Sequence, residues 1–186
     1  MGSAFNNHPV LSIAAGTSGL RLPPGIMTPS YTFVTEALLD FNRYDAQTTW
    51  EIFGVLNGAT TPVYLTYNTA NGITVNQGDG NKNVTGAANV LARGQLHIRA
   101  VSFDAEALTS VQTLKDGSLF AFTHTSAYAP AVLDQWSIGS AADNAAIGFV
   151  GKMGISLISD RAMHGPTLLP FMAAAMNLVK TKYAVA

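Results

Sequence analysis

The sequence predicts an all-β domain, two antiparallel sheets packed as a sandwich or closed as a barrel, with one helix at the C-terminal end. Three observations carry this. Apolar and polar residues alternate with period two through most of the chain. Turn-forming dipeptides separate the alternating runs. The last twenty residues change to a period of three and four.

Taken in order, Leu11 and Ile13 alternate with Ser12, and Leu20 and Leu22 with Arg21. Pro23-Pro24-Gly25 and Pro29 then make a longer connection. Tyr31 and Phe33 face opposite to Thr32 and Val34. The stretch Thr48 to Val55 carries Trp50, Ile52 and Phe53. Val63, Leu65 and Tyr67 oppose Tyr64 and Thr66, and Leu96, Ile98 and Ala100 oppose His97, Arg99 and Val101. Each run is short and rich in β-branched or aromatic residues, which fit a pleated, half-buried surface. Asn57-Gly58, Asn71-Gly72 and Asp116-Gly117 sit between runs and supply the positive φ that tight hairpins need. From Leu168 onward, Leu168, Met172, Ala175, Val179 and Tyr183 fall on one helical stripe. Thr167 is placed to cap this helix, Pro170 is tolerated in its first turn, and Lys180 and Lys182 suit its C-terminal dipole. The expectation is one domain over residues 4–186, with strands between about 9 and 159 and a helix over about 167–182.

Composition narrows the function. Of 186 residues, 11% are charged and the net charge is −1, against about 25% charged in an ordinary soluble domain. No basic run tracks phosphates, so nucleic acid is not an expected partner. With no cysteine, disulfides and thiolate metal sites are excluded. The opening residues lack a basic region followed by an apolar block, so no secretory signal is expected. No stretch reaches the length of a membrane-spanning helix, so no membrane insertion is expected. A surface with 48% hydrophobic residues in the chain and little like-charge repulsion points to a homo-oligomer. The helix carries apolar groups on more than one side, Phe171 and Met176 among them, so its second side is expected to meet a neighbour.

Three stretches resemble the laminin-G-like jelly roll of the concanavalin A-like lectin and glucanase superfamily. They are Leu11-Ser12-Ile13 through Leu20-Arg21-Leu22-Pro23 to Tyr31-Thr32-Phe33; His97 to Asp104 followed by Val111 to Phe122 around Lys115-Asp116-Gly117; and Trp136 to Ser140 with Phe149 to Met163. The resemblance spans nearly the whole chain and implies a two-sheet antiparallel jelly-roll sandwich. Its matched positions are structural glycines and core residues, none of them catalytic. By analogy with the family it implies glycan recognition. The segment after Thr167 is longer than the family's usual closing turn.

Catalytic chemistry finds little support. The family's glucanases carry Glu-x-Asp-x-x-Glu on one strand, whereas Glu36, Glu51 and Glu106 are the only glutamates and none precedes such an aspartate. That excludes a glucanase of that type; a divergent glycoside hydrolase is the third reading. Gly154-Ile155-Ser156-Leu157 lacks the closing glycine of a nucleophile elbow. His8, His97, His124 and His164 make no paired metal spacing, though His97 and His124 are candidates for neighbours on adjacent strands. No cofactor is expected. Asp79, Asn81 and Asn83 place oxygens at alternate positions, the arrangement of a calcium loop, but without its glycine and closing glutamate. Asn83-Val84-Thr85 is a glycosylation sequon.

Sugars are held by an aromatic platform and by amides and carboxylates that bond to hydroxyls. Tyr64, Tyr67, Asn68, Asn71, Asp79, Asn81, Asn83 and Tyr128 are the candidates, with Tyr44 and Trp136 beside them; Trp50 and Trp136 also read as core. The sequence therefore favours a non-catalytic glycan-recognition domain, of a virus tail or a cell-surface assembly. The alternative is a purely structural, oligomerising domain of such an assembly. A virion protein made in the cytoplasm combines the missing signal, the missing cysteine and the uncharged surface, and in a virus tail a trimer is expected before a dimer.

Overall fold

The computed structural model describes residues 8–13, 19–26, 28–39, 49–57, 60–68, 72–77, 83–84, 96–114, 116–139, 149 and 151–183. Their strands are β1 (Leu11–Ile13), β2 (Leu20–Arg21), β3 (Tyr31–Leu39), β4 (Thr49–Asn57), β5 (Thr60–Asn68), β6 (Gly72–Gln77), β7 (Asn83–Val84), β8 (Leu96–Asp104), β9 (Thr109–Thr113), β10 (Leu119–Thr123), β11 (Gln135–Ile138) and β12 (Gly151–Ser159), followed by helix α1 (Leu169–Tyr183). They form two six-stranded sheets, sheet A in the order β1-β12-β3-β8-β9-β10 and sheet B in the order β2-β11-β4-β5-β6-β7. Neighbouring strands run antiparallel throughout.

The period-two pattern becomes the filling between the sheets. Tyr31, Phe33, Val101, Phe103 and Met153 from sheet A meet Phe53, Val55, Val63, Leu65, Val75, Trp136 and Ile138 from sheet B. Phe33 stacks on Phe53 with centroids 4.3 Å apart, and Trp136 meets Tyr31 edge-on at 5.1 Å. Burial of this many aromatic and branched side chains is the main stabilising term. Trp136 is only 1% exposed, so it belongs to this core and offers no platform to a ligand.

The other face of sheet A is also covered. Val34, Ile98 and Ala100 receive Met172, Met176, Val179 and Tyr183 of α1. That explains why β8 is buried along nearly its whole length, whereas simple alternation would leave one side wet. The helix starts at Leu169, two residues past the expected cap at Thr167. The Gly165 carbonyl accepts the Leu168 and Leu169 N–H groups at 3.0 and 2.8 Å. Between Met153 and Ser156 the β12–β3 register shifts, which takes Ile155 out of the ladder. The Tyr183 hydroxyl accepts the Ile155 N–H at 2.9 Å, so the end of the helix satisfies the bulge it packs on.

The expected turns fall where the dipeptides lie. Gly117 has φ +82° between β9 and β10, and Asp116 Oδ1 accepts both the N–H and the hydroxyl of Ser118, at 2.9 and 2.6 Å. These bonds hold the Asp116 carboxyl below its usual pKa. Asn57 ends β4 and Gly72 begins β6; Gly58 and Asn71 lie outside the described residues.

Candidate functional site

At the edge of sheet A, β10 is exposed along most of its length, whereas the β12–β3–β8 part has little free face to offer. Besides α1, the segment leading into the helix is bonded down onto it. Met163 N–H reaches Thr32 Oγ1 (3.0 Å) and Ser102 Oγ (2.7 Å), and Thr32 Oγ1 donates to the Arg161 carbonyl at 2.7 Å. His164 completes the anchor, with Nδ1 2.9 Å from Ser102 Oγ and Nε2 3.0 Å from Thr109 Oγ1. Burial pushes the His164 pKa down, against the opposing pull of the Asp104 charge. Ser102, His164 and Asp104 are the residue types of a hydrolytic triad, but Ser102 is wholly buried and its oxygen already takes an amide proton. Asp104 Oδ1 accepts the N–H groups of Glu106 and Ala107 at 3.0 and 3.1 Å. The group fixes a loop and has no access for a substrate.

The remaining histidines lie apart. His97 is on β8, whereas His124 follows β10 and approaches Ser110 of the intervening β9, with Nε2 2.7 Å from its hydroxyl. The expectation that His97 and His124 are neighbours is thus corrected: a whole strand separates them. Among the described residues no three of Asp, Glu and His converge on a metal-sized space. Of the calcium-loop positions, Asn83 lies on β7, and Asp79 and Asn81 lie outside the described residues.

An apolar groove opens along one edge of the sandwich, between β1 and β12 of sheet A and β2 and β11 of sheet B. It has a volume of about 430 Å³ and is lined chiefly by Leu11, Leu20, Leu22, Ile138 and Ile158. Its one side-chain hydroxyl, on Ser156, stands 2.9 Å from Thr35 Oγ1. Nothing there is arranged to hold a polyhydroxylated ligand.

The residues singled out for sugars fall at the opposite edge, on sheet B. Tyr64, Tyr67 and Asn68 belong to β5, and Asn83 to β7, which is joined to β5 through β6; their side chains lie outside the described part, as do Asn71 and Tyr44 entirely. The register places Tyr64 beside Asn76, Tyr67 beside Ile73, Asn68 beside Gly72 and Asn83 beside Val75. At about 3.3 Å per residue they spread along roughly 15 Å of sheet. Tyr128 joins the Tyr64 end, where its N–H donates to the Gln77 carbonyl at 3.0 Å. Its half-buried side chain packs against the core cluster.

Sequence reading missed the polar interior beneath this end. The Tyr31 hydroxyl donates to Gln77 Oε1 at 2.9 Å and accepts from Gln77 Nε2 at 2.7 Å, which bolts sheet A to sheet B. Burial pushes the Tyr31 phenol well above its ordinary pKa. His97, Arg99, Gln112 and His124 are buried too, with Arg99 Nη1 reaching the Leu114 carbonyl at 3.4 Å. The sequence signal was present: His97, Arg99, Val101 and Phe103 share one parity on β8, and the last two are core.

No protein-family model matches the sequence, and no curated protein matches it. Solved structures do. A native heptameric SAP-like pentraxin from Limulus polyphemus superposes with a TM-score of 0.65 at 10% identity, over 82% of this chain and 74% of that one. The CBM40 of a Ruminococcus gnavus IT-sialidase, bound to α2,3 sialyllactose, gives 0.62 at 15% identity, over 88% and 96%. Domain 4 of AbnA, a GH43 extracellular arabinanase from Geobacillus stearothermophilus, in complex with arabinotriose, gives 0.60 at 16% identity, over 91% and 75%. At such identities the likeness speaks to architecture alone, and on that ground the chain has the concanavalin A-like jelly-roll fold.

Proposed function

We propose that this domain is a non-catalytic recognition module that binds a glycan on the β5–β6–β7 part of sheet B and the adjoining Tyr128 segment. The observation that carries the reading is the disposition of covered surface. Helix α1 contacts β3, β8 and β12, all of sheet A, and among the described residues no helix packs on the β5–β6–β7 part of sheet B. Tyr128 supports it, since a half-exposed ring whose own N–H is tied to Gln77 is pre-organised to stack on a sugar. Two modules of the same fold are bound to sialyllactose and arabinotriose, which raises the weight of glycans among ligands. Tyr64 and Asn68, of opposite parity to the core residues Val63 and Leu65, are the proposed companions on this face. Tyr67 and Asn83, which share the register of core-facing Leu65 and Val75, and Asn71, Asp79 and Asn81 are proposed for its rim, with Asp79, Asn81 and Asn83 also as calcium ligands.

A glycan array tests the reading. Saturable binding to a narrow set of sugars is expected, and Tyr128→Leu, which keeps apolar packing against the core cluster, should weaken it at least tenfold while the unfolding temperature stays near that of wild type. A chelator that abolishes binding would bring in the calcium loop. A blank array would leave the second reading, a structural domain of a virion or surface assembly, which the exposed apolar side chains described next favour. Turnover of a polysaccharide would return the glycoside hydrolase.

A further inference from the structure

The connection after β2 and the turn before β11 lie side by side and continue the pairing of those strands. Leu22 N–H donates to the Trp136 carbonyl at 3.0 Å and Gly25 N–H to the Asp134 carbonyl at 3.3 Å. Gly25 has φ +78°, and a Cβ there would stand 3.5 Å from the Val132 carbonyl oxygen. Asp134, 1% exposed, locks the second turn. Its N–H donates to the Ala131 carbonyl at 3.0 Å, and its Oδ2 accepts the Ala131 N–H at 2.7 Å. The result is a stiff prong that holds Val132 and Leu133 out in solvent, 83% and 80% exposed, with Ile26 at 50% beside them. Two adjacent aliphatic side chains held rigidly away from their own core are a large uncompensated exposure.

The prong begins one residue past Leu22, a wall of the apolar groove. One edge of the molecule therefore carries a convex apolar tip and a concave apolar slot in succession. The slot has room for the tip: at the ~30 Å³ that a methyl-sized group or a water occupies, the side chains of Val132 and Leu133 need on the order of 200 Å³. The groove provides about 430 Å³. We infer that the occupant of the groove is the prong of a second copy of this chain, and that the two copies exchange prongs about a two-fold axis. Such an isologous contact satisfies both features at once. Leu11, Leu20, Ile26, Val132, Leu133 and Ile158 expose between them more than three complete side chains' worth of surface, on the order of 350 Å² at about 100 Å² each. That is about two thirds to three quarters of the apolar share of a standard interface of about 800 Å² per partner. Exposed Arg21 and Asp160 at its margin are opposite in sign, so like charge does not oppose the contact. Edge-to-edge strand pairing does not explain the surface, because β1 and β2 have three and two residues. The inference is independent of the glycan reading.

The cysteine-free chain makes the test direct. Light scattering behind a sizing column should give wild type twice the 19.5 kDa monomer mass. Leu133→Asp and Leu20→Asp should each give the monomer, with unchanged circular dichroism because both side chains are solvent-exposed, while Phe171→Asp on the outer side of α1 should leave the dimer intact. A chain with both Leu133→Cys and Leu20→Cys should form a disulfide-linked dimer under mild oxidation. A wild-type monomer at tens of micromolar would overturn the inference, as would a dimer that Phe171→Asp dissolves and Leu133→Asp does not. A monomer that sediments with neutral lipid vesicles through Leu133 would replace the second copy with a bilayer.

Discussion

Replacing Tyr31 by Phe removes one oxygen from the centre of the sandwich and leaves the ring where it packs on Phe53, Phe103 and Trp136. Apolar burial is unchanged, so the loss isolates a hydrogen bond. Gln77 is completely buried, and both ends of its amide are within bonding distance of the Tyr31 hydroxyl. Tyr31→Phe strands that amide in an apolar layer, at a cost of about 2 kcal/mol. Unfolding in urea measures it. With m of about 2 kcal/mol/M for a chain of this size, the midpoint should fall by roughly 1 M at unchanged m. Gln77→Met should cost a similar amount by stranding the phenol. The double variant removes both polar partners, so it should lie within about 1 kcal/mol of wild type, giving a coupling energy of about 3 kcal/mol or more. A Tyr31→Phe midpoint that barely moves, or a double variant as unstable as its two singles combined, would refute the argument that the pair is a satisfied bolt between the sheets.

Gly139 has φ +72°, and a Cβ there would collide with Ile13 and press on Phe149 at 3.3 Å; Gly139→Ala should cost about 2–4 kcal/mol in the same assay. Tyr183→Phe should cost about 1–2 kcal/mol by orphaning the Ile155 N–H, and hydrogen exchange should show that amide deprotected ahead of its β12 neighbours. The folded-state pKa of His164 lies below its unfolded value, so the unfolded chain binds the proton more readily as pH falls from about 6.5. Its contribution is therefore complete above that pH and is lost on acidification through the folded pKa. His164→Gln should flatten the fall in unfolding temperature between about pH 6.5 and 5, and a slope equal to wild type's would dismiss the linkage.

Much of the architecture was legible because period-two alternation and turn chemistry are local signals. Asp116-Gly117 announces its hairpin, and the Met172, Val179 and Tyr183 stripe announces both the helix and the face it buries. The sheet order was not legible: that β1 joins β12 depends on pairing between ends of the chain, which leaves no local mark in the sequence. Thr167 was read as a cap because Thr often caps, whereas the Gly165 carbonyl sets the first turn. His97 and His124 looked like neighbours because sequence cannot show that β9 intervenes. The glycan candidates were chosen by residue type, and type does not give direction: it placed Trp136 both in the core and among the ligands, and its burial assigns it to the core. Gln77, beneath Tyr128, was invisible because a lone amide in a strand carries no sequence mark of burial.

The same strand order sets a timetable for synthesis. Leu11 pairs with Met153, and β3 takes β12 along one side, so sheet A stays incomplete until the final strand has left the ribosome. At roughly 5–20 residues per second the first strand waits on the order of ten seconds for its partner. Sheet B is held open in the same way, because β2 and β4 both need β11. Throughout that interval the nascent chain presents β3 and β4 with one side unpaired, each carrying residues destined for the core. A second nascent chain nearby can supply the missing strand, so crowded translation favours exchange of β12 and α1 between molecules. Translation that stops before residue 151 opens two strand edges at once, those of β1 and β3, and leaves the product prone to aggregation.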